Sequence, residues 1–103
     1  MKGETKKWPK WPTPKGKLAI YPKIVYGRSC EIEIVGDPEG LLYLSGLLRQ
    51  LAEMNQDDMP IPNGAYAHLH IRPECELAYH STEVTLSRAD AKGTGMLLEL
   101  FDD

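Results

Sequence analysis

Gly36-Asp37-Pro38-Glu39 is the segment that most constrains this chain, because one periodicity ends there and another begins. Before it, Cys30, Ile32 and Ile34 alternate with Ser29, Glu31 and Glu33. A period of two is the pattern of a strand with one buried face. After it, Leu41, Leu44, Leu48 and Leu51 recur at spacings of three and four, with Leu47 and Ala52 beside them. That stripe predicts an amphipathic helix facing a core and running to about Asn55. The joint has its own chemistry. Asp37 can accept N–H bonds at the helix start, Pro38 sits where its missing N–H costs nothing, and Glu39 complements the helix dipole. Gly46, with Ser45, is expected to let the helix approach the sheet closely, while Leu42 and Tyr43 widen the apolar surface and could meet a partner.

The rest of the chain fits around this strand–helix unit. Leu18 to Tyr26 is rich in β-formers and is interrupted by Pro22, which predicts an edge strand or a bulge. Gly27-Arg28 reads as a tight turn into the next strand, so the two segments form an antiparallel hairpin. Residues 56–64 carry Pro60, Pro62 and Gly64 and read as a loop. Ala65, Ala67, Leu69 and Ile71 then alternate with Tyr66, His68 and His70. Residues 73–81 are a connection, and Glu83 to Arg88 is a strand with Val84 and Leu86 inward. Met96 to Phe101 is apolar; periodicity leaves strand and helix both open there, with a strand preferred. The order β-β-α-β-β plus a short last element predicts an α+β fold. Its architecture is a two-layer sandwich, mostly antiparallel sheet covered by one main helix.

With 103 residues, the chain is expected to hold a single domain over 18–103, preceded by a basic tail over 1–17. The tail has six lysines (Lys2, Lys6, Lys7, Lys10, Lys15, Lys17) against Glu4, whereas the remainder has six basic and fourteen acidic groups. Three readings of the tail stay open. It is a basic arm, a proline-rich extended segment for a partner, or an ordered lead-in whose Trp8 and Trp11 pack on the domain. An acidic body repels phosphate, so nucleic acid is not an expected partner. No run is long enough to span a membrane, and the tail lacks the apolar stretch of an export signal, so a cytoplasmic protein is expected. Cys30 and Cys75 are then expected to be reduced, each a small buried hydrophobe.

Candidate chemistry is sparse. His68 and His70 share a strand face, but a metal site needs three or four ligands, and His80, Cys30, Cys75, Asp57 and Asp58 lie at no recognised spacing. Cys75 lies between Glu74 and Glu76, and Cys30 precedes Glu31, settings that oppose a thiolate nucleophile. The carboxylate pairs read as solvated faces, and no glycine loop has the spacing that cradles phosphate. The expectation is therefore no catalytic residue, no metal and no cofactor.

Cys30 to Leu44, an acidic strand followed by Gly-Asp-Pro-Glu-Gly-Leu and a leucine-rich helix, resembles the Immunity protein 32 family of bacterial polymorphic toxin systems. His68-Leu69-His70 and Ser81 to Leu86 resemble the same pattern, so that the likeness covers roughly residues 29–88. The resemblance implies a small cytoplasmic α+β protein, without catalysis or cofactor, that binds and neutralises a cognate toxin. It carries over no binding residues. Read from this chain, Asp57, Asp58, Glu74, Glu76 and Glu83 are the acidic groups expected at the surface, with Tyr66, His68 and His70 as an anchor between them. Acidic surface would steer a basic toxin. The alternative is a small homo-oligomeric structural, regulatory or ligand-binding domain that pairs through the same Tyr66, His68 and His70 face.

Overall fold

In the computed structural model, residues 8–101 are described. Lys2, Glu4, Lys6, Lys7, Asp102 and Asp103 lie outside the described residues, as do the side chains of Ser29 and Cys30. The elements are β1 (Leu18–Val25), β2 (Arg28–Gly36), α1 (Pro38–Glu53), a 3-10 turn (Gln56–Asp58), β3 (His68–Ile71), β4 (Val84–Ser87) and a final 3-10 turn (Glu99–Phe101). The fold is α+β in the expected order, with its strands in two separate two-stranded antiparallel ribbons, β1–β2 and β3–β4.

The first ribbon turns at Tyr26-Gly27, one residue earlier than expected. Val25 pairs with Arg28, and Tyr26 and Gly27 have φ of 52° and 74°. Two consecutive positive φ values make a two-residue turn whose twist matches that of the strands. The register shifts by one residue after Lys23, a bulge placed just beyond Pro22. The two ribbons meet through the connection between β3 and β4. The Ala78 and Thr82 N–H groups donate to the Leu18 and Ile20 carbonyls, both at 2.8 Å, and the Ser81 hydroxyl accepts from the Ile20 N–H.

α1 starts as its sequence dictates. The Asp37 carboxylate accepts the Gly40 N–H at 2.8 Å and the Lys17 N–H at 2.9 Å. Those two bonds hold its pKa below the usual carboxylate range, the Lys17 bond contributing most. The buried helix face differs from the expected stripe. It consists of Gly40, Tyr43, Leu44, Leu47 and Leu51, while Leu41, Leu48 and Ala52 are exposed. The core explains this roll. Tyr43, Leu44 and Leu47 cluster with Leu18, Ile20, Ile71 and Leu77, and Trp11, Leu69, Val84 and Leu86 pack around them. The buried helix side chains thus pack on Leu18 and Ile20 of β1 and Ile71 of β3, and the isoleucines of β2 stay outside this cluster. Ile32 and Ile34, expected to be buried, are 59% and 52% exposed.

Close approach falls on Gly40 rather than Gly46. A Cβ at Gly40 would collide with the Lys17 carbonyl, whereas one at Gly46 would lie 3.5 Å from Pro12, an ordinary contact. The lead-in is ordered where Trp11 joins the core and Gln50 Nε2 donates to the Lys10 carbonyl at 2.9 Å. Trp8 remains partly exposed.

In the second ribbon, Ala67, Leu69 and Ile71 point inward and His68 and His70 outward, as the alternation predicts. Val84 and Leu86 are half-buried opposite them. Residues 65–67 fall short of regular strand because their backbone bonds elsewhere. The Ala67 N–H donates to Gln56 Oε1, and the Ala65 carbonyl accepts from Lys92. Two expectations fail at the surface. Cys75 is exposed, in a turn where Glu74 has φ of 64°. Residues 96–101 do not form a strand: Leu97 makes one bridge with Asp90, and the chain then closes a 3-10 turn. Past Leu98 the Phe101 N–H bonds locally to the Leu98 carbonyl and closes that turn.

Candidate partner-binding face

β3 and β4 turn one face to solvent, and the short ladder fixes its layout. His68, His70 and Thr85 share it because alternate residues share a side and His70 is in register with Thr85. The two imidazoles meet edge to face, with ring centroids 5.3 Å apart. His68 Nδ1 lies 3.0 Å from the Tyr66 carbonyl oxygen. His70 Nδ1 lies 3.0 Å from Thr85 Oγ1 and 3.5 Å from Glu83 Oε2. Arg72 Nε reaches the same carboxylate oxygen at 3.6 Å. These groups are exposed, so the charges are screened and worth little to stability. They are open to a partner instead.

Glu74 and Glu76 lie in the turn that follows β3. The Glu76 carboxylate accepts the Arg72 N–H at 2.9 Å. With His70, Trp11, Tyr43, Leu69 and Ile71 it lines a shallow cleft. Tyr43 has its pKa raised, chiefly by burial and further by the charge of Glu76. Tyr66 precedes β3 and is half-buried.

Asp57 and Asp58 lie elsewhere, at the other end of the ribbon. Asp57 accepts the Gly93 N–H at 3.1 Å, and Asp58 accepts from Asn55 Nδ2 at 3.2 Å. β3 is four residues long, or about 13 Å at the rise of a strand. The expected acidic set is therefore split by the length of the ribbon. Glu74, Glu76, Glu83 and the histidines form one group; Asp57 and Asp58 form another. Among the described residues no three His, Cys, Asp or Glu side chains converge as metal ligands.

Three residues carry this geometry and escaped the sequence reading. Gln56 is buried, taking the Ala67 N–H at 2.8 Å and giving its own amide to the Asp90 carbonyl at 2.9 Å. Arg88 donates to the Leu51 and Met54 carbonyls at the end of α1, at 3.1 and 3.0 Å, and clamps Asp90 with two bonds of 2.8 and 2.7 Å. α1 has no basic residue in its last turn, so Arg88 supplies the positive charge that helix ends favour. Lys92 Nζ bonds the Met59 and Ile61 carbonyls at 2.8 and 2.6 Å. The only local hint of these contacts is a run of polar residues in a loop, which usually means solvent.

No curated protein and no solved structure matches the chain. No described helix is long and apolar enough to cross a membrane. The family model Immunity protein 32 matches residues 31–89, from the middle of β2 through β4 and more than half of the sequence, so this chain belongs to the Immunity protein 32 family.

Proposed function

We propose that this protein is a non-enzymatic immunity protein that binds and neutralises a cognate protein toxin in the cytoplasm. The observation that carries the reading is the family match, which takes in β2, α1, β3 and β4 together. Its surface suits the task. The chain body is acidic, with fourteen acidic against six basic groups after residue 17, a balance that speeds encounter with a basic partner. Tyr66, His68, His70, Glu74, Glu76 and Glu83 give one polar and aromatic contact region, and Asp57 and Asp58 a second, acidic one. No cofactor or metal enters this reading.

The test is inhibition of the toxin by the purified chain, with association followed by surface plasmon resonance. Asp58→Lys and Glu74→Lys touch little of the fold's own bonding, so each is expected to slow association several-fold at low salt and less at high salt. Unchanged on-rates in both variants would remove these residues from the interface. Failure of the wild-type chain to inhibit would remove the reading itself.

A further inference from the structure

We infer that the outer edge of β2 is a strand-docking site, at which an extended segment of the toxin adds a third strand to the β1–β2 ribbon. This rests on the immunity reading above and adds the place and mode of contact.

The direction of the backbone groups follows from the hydrogen bonds of β1. Leu18 and Ile20 turn their carbonyls to Ala78 and Thr82, away from β2. In an antiparallel pair the N–H and C=O of alternate residues point to opposite sides. Ala19 and Tyr21 therefore face β2, and their partners Val35 and Glu33 exchange both bonds with them. The Lys17 carbonyl, accepting the Asp37 N–H at 3.1 Å, keeps the same parity. Ile32 and Ile34 must then aim their N–H and C=O groups outward, where no described strand pairs with them. The same two residues expose their side chains, and Leu41 continues the apolar surface over Gly36. At the hairpin tip Ile24 and Tyr26 are also exposed, Tyr26 at 97% and in a left-handed conformation that favours glycine. A long apolar edge with no described strand on it is what strand addition requires.

The charges choose the occupant. On the face opposite the isoleucines, Glu31 and Glu33 share one lysine, Lys23 Nζ at 3.5 and 3.4 Å. Two carboxylates to one ammonium leave that face negative. If two copies paired antiparallel through β2 with Ile32 opposite Ile32, Glu31 and Glu33 would sit beside the same carboxylates of the other copy. Like charges directly opposite are destabilising. A strand alternating apolar and basic residues satisfies both faces at once.

A labelled peptide alternating lysine and isoleucine is the probe, followed by amide NMR and fluorescence anisotropy, with a glutamate–isoleucine peptide as control. The lysine peptide is expected to bind about tenfold tighter than the control and to shift the Ile32 and Ile34 amides. Ile34→Pro, which removes an outward N–H and the exposed isoleucine side chain but none of the bonds to β1, is expected to weaken it by about tenfold. Ile34→Lys serves in its place if the proline variant does not fold. Equal binding of both peptides, or no shift at Ile32 and Ile34, overturns the inference. So does full toxin inhibition by both Ile34 variants. Loss of inhibition by wild type with peptide binding intact would instead strike the immunity reading.

Discussion

Replacing Gln56 by leucine tests how the 3-10 turn is fixed to the second ribbon. The Gln56 amide bridges the Ala67 N–H at 2.8 Å and the Asp90 carbonyl at 2.9 Å. Ala67 is fully buried, so water cannot replace the lost acceptor; Asp90 is half-buried, so its carbonyl can recover a solvent bond. An orphaned buried N–H costs about 1–3 kcal/mol, and the lost bond to Asp90 adds up to about 1. Leucine at a site this buried returns about a third of that through burial of its methyl groups. The net expectation is a loss of about 2 kcal/mol, which lowers the urea midpoint by roughly 1–2 M. Tryptophan fluorescence reads the transition, since Trp11 packs on the core. Gln56→Glu refines the test. Its carboxylate keeps the acceptor for Ala67 but faces the Asp90 carbonyl, so burial raises its folded pKa above about 4.3. The protonated acid restores the donor, so the variant should be most stable below that pH and weaken as pH rises through the raised folded pKa. A Gln56→Leu unfolding free energy within about 0.5 kcal/mol of wild type would refute this account.

The two helix glycines should respond with opposite sign. Gly46→Ala is expected to stabilise by up to about 1 kcal/mol, because the added methyl meets only Pro12 at 3.5 Å; Gly40→Ala should destabilise by more than that, through its collision with Lys17. Thermal melts of both variants decide it. Arg88 holds the Asp90 pKa below its usual 3.8 through their hydrogen bonds. That contribution is complete above about pH 4 and disappears as pH falls through the lowered pKa, so Asp90→Asn should flatten the loss of stability on acidification below about pH 4. Tyr26→Asn should raise stability by roughly 0.5–1 kcal/mol, since asparagine tolerates positive φ at φ 52° better than tyrosine does. A lower melting temperature for Tyr26→Asn would refute it.

The strand–turn–helix unit was legible because its signals are local. Asp37 caps, Pro38 opens and the leucines repeat, none of which depends on distant residues. The alternation of β3 was equally clear, since Ala67, Leu69 and Ile71 face a core directly beneath them. What failed was anything set by where the core lies. The spacing of Leu41, Leu44, Leu48 and Leu51 defines a stripe but not how far the helix rolls, and Trp11 with Ile71 pulled it toward Tyr43 and Leu47. Cys75 was expected to be buried from residue type alone, yet the turn at Glu74 carries it outward. The split of the acidic groups was also hidden. Asp57 and Glu74 lie toward opposite ends of the β3–β4 ladder, and one-dimensional spacing says nothing of that.

β2 poses the sharpest case, because alternation does not distinguish a strand facing its own core from one facing a partner. Ile32 and Ile34 obey the pattern of buried residues and are half exposed. Proline scanning separates the two situations without any partner present. At Ile34 or Ile32, proline deletes an N–H that points outward and leaves the ladder with β1 intact. At Glu33 it deletes the N–H paired with Tyr21 and removes the carboxylate that accepts the Tyr21 hydroxyl at 2.8 Å. The ladder bond is worth about 1 kcal/mol, and with the Tyr21 carbonyl left facing a ring instead of a donor the cost should reach about 2–3. Glu33→Pro should therefore lower the urea midpoint well below that of Ile34→Pro, although both residues lie on the same exposed strand. If the two variants unfold together, the outward direction of the Ile32 and Ile34 backbone is wrong, and with it the docking edge.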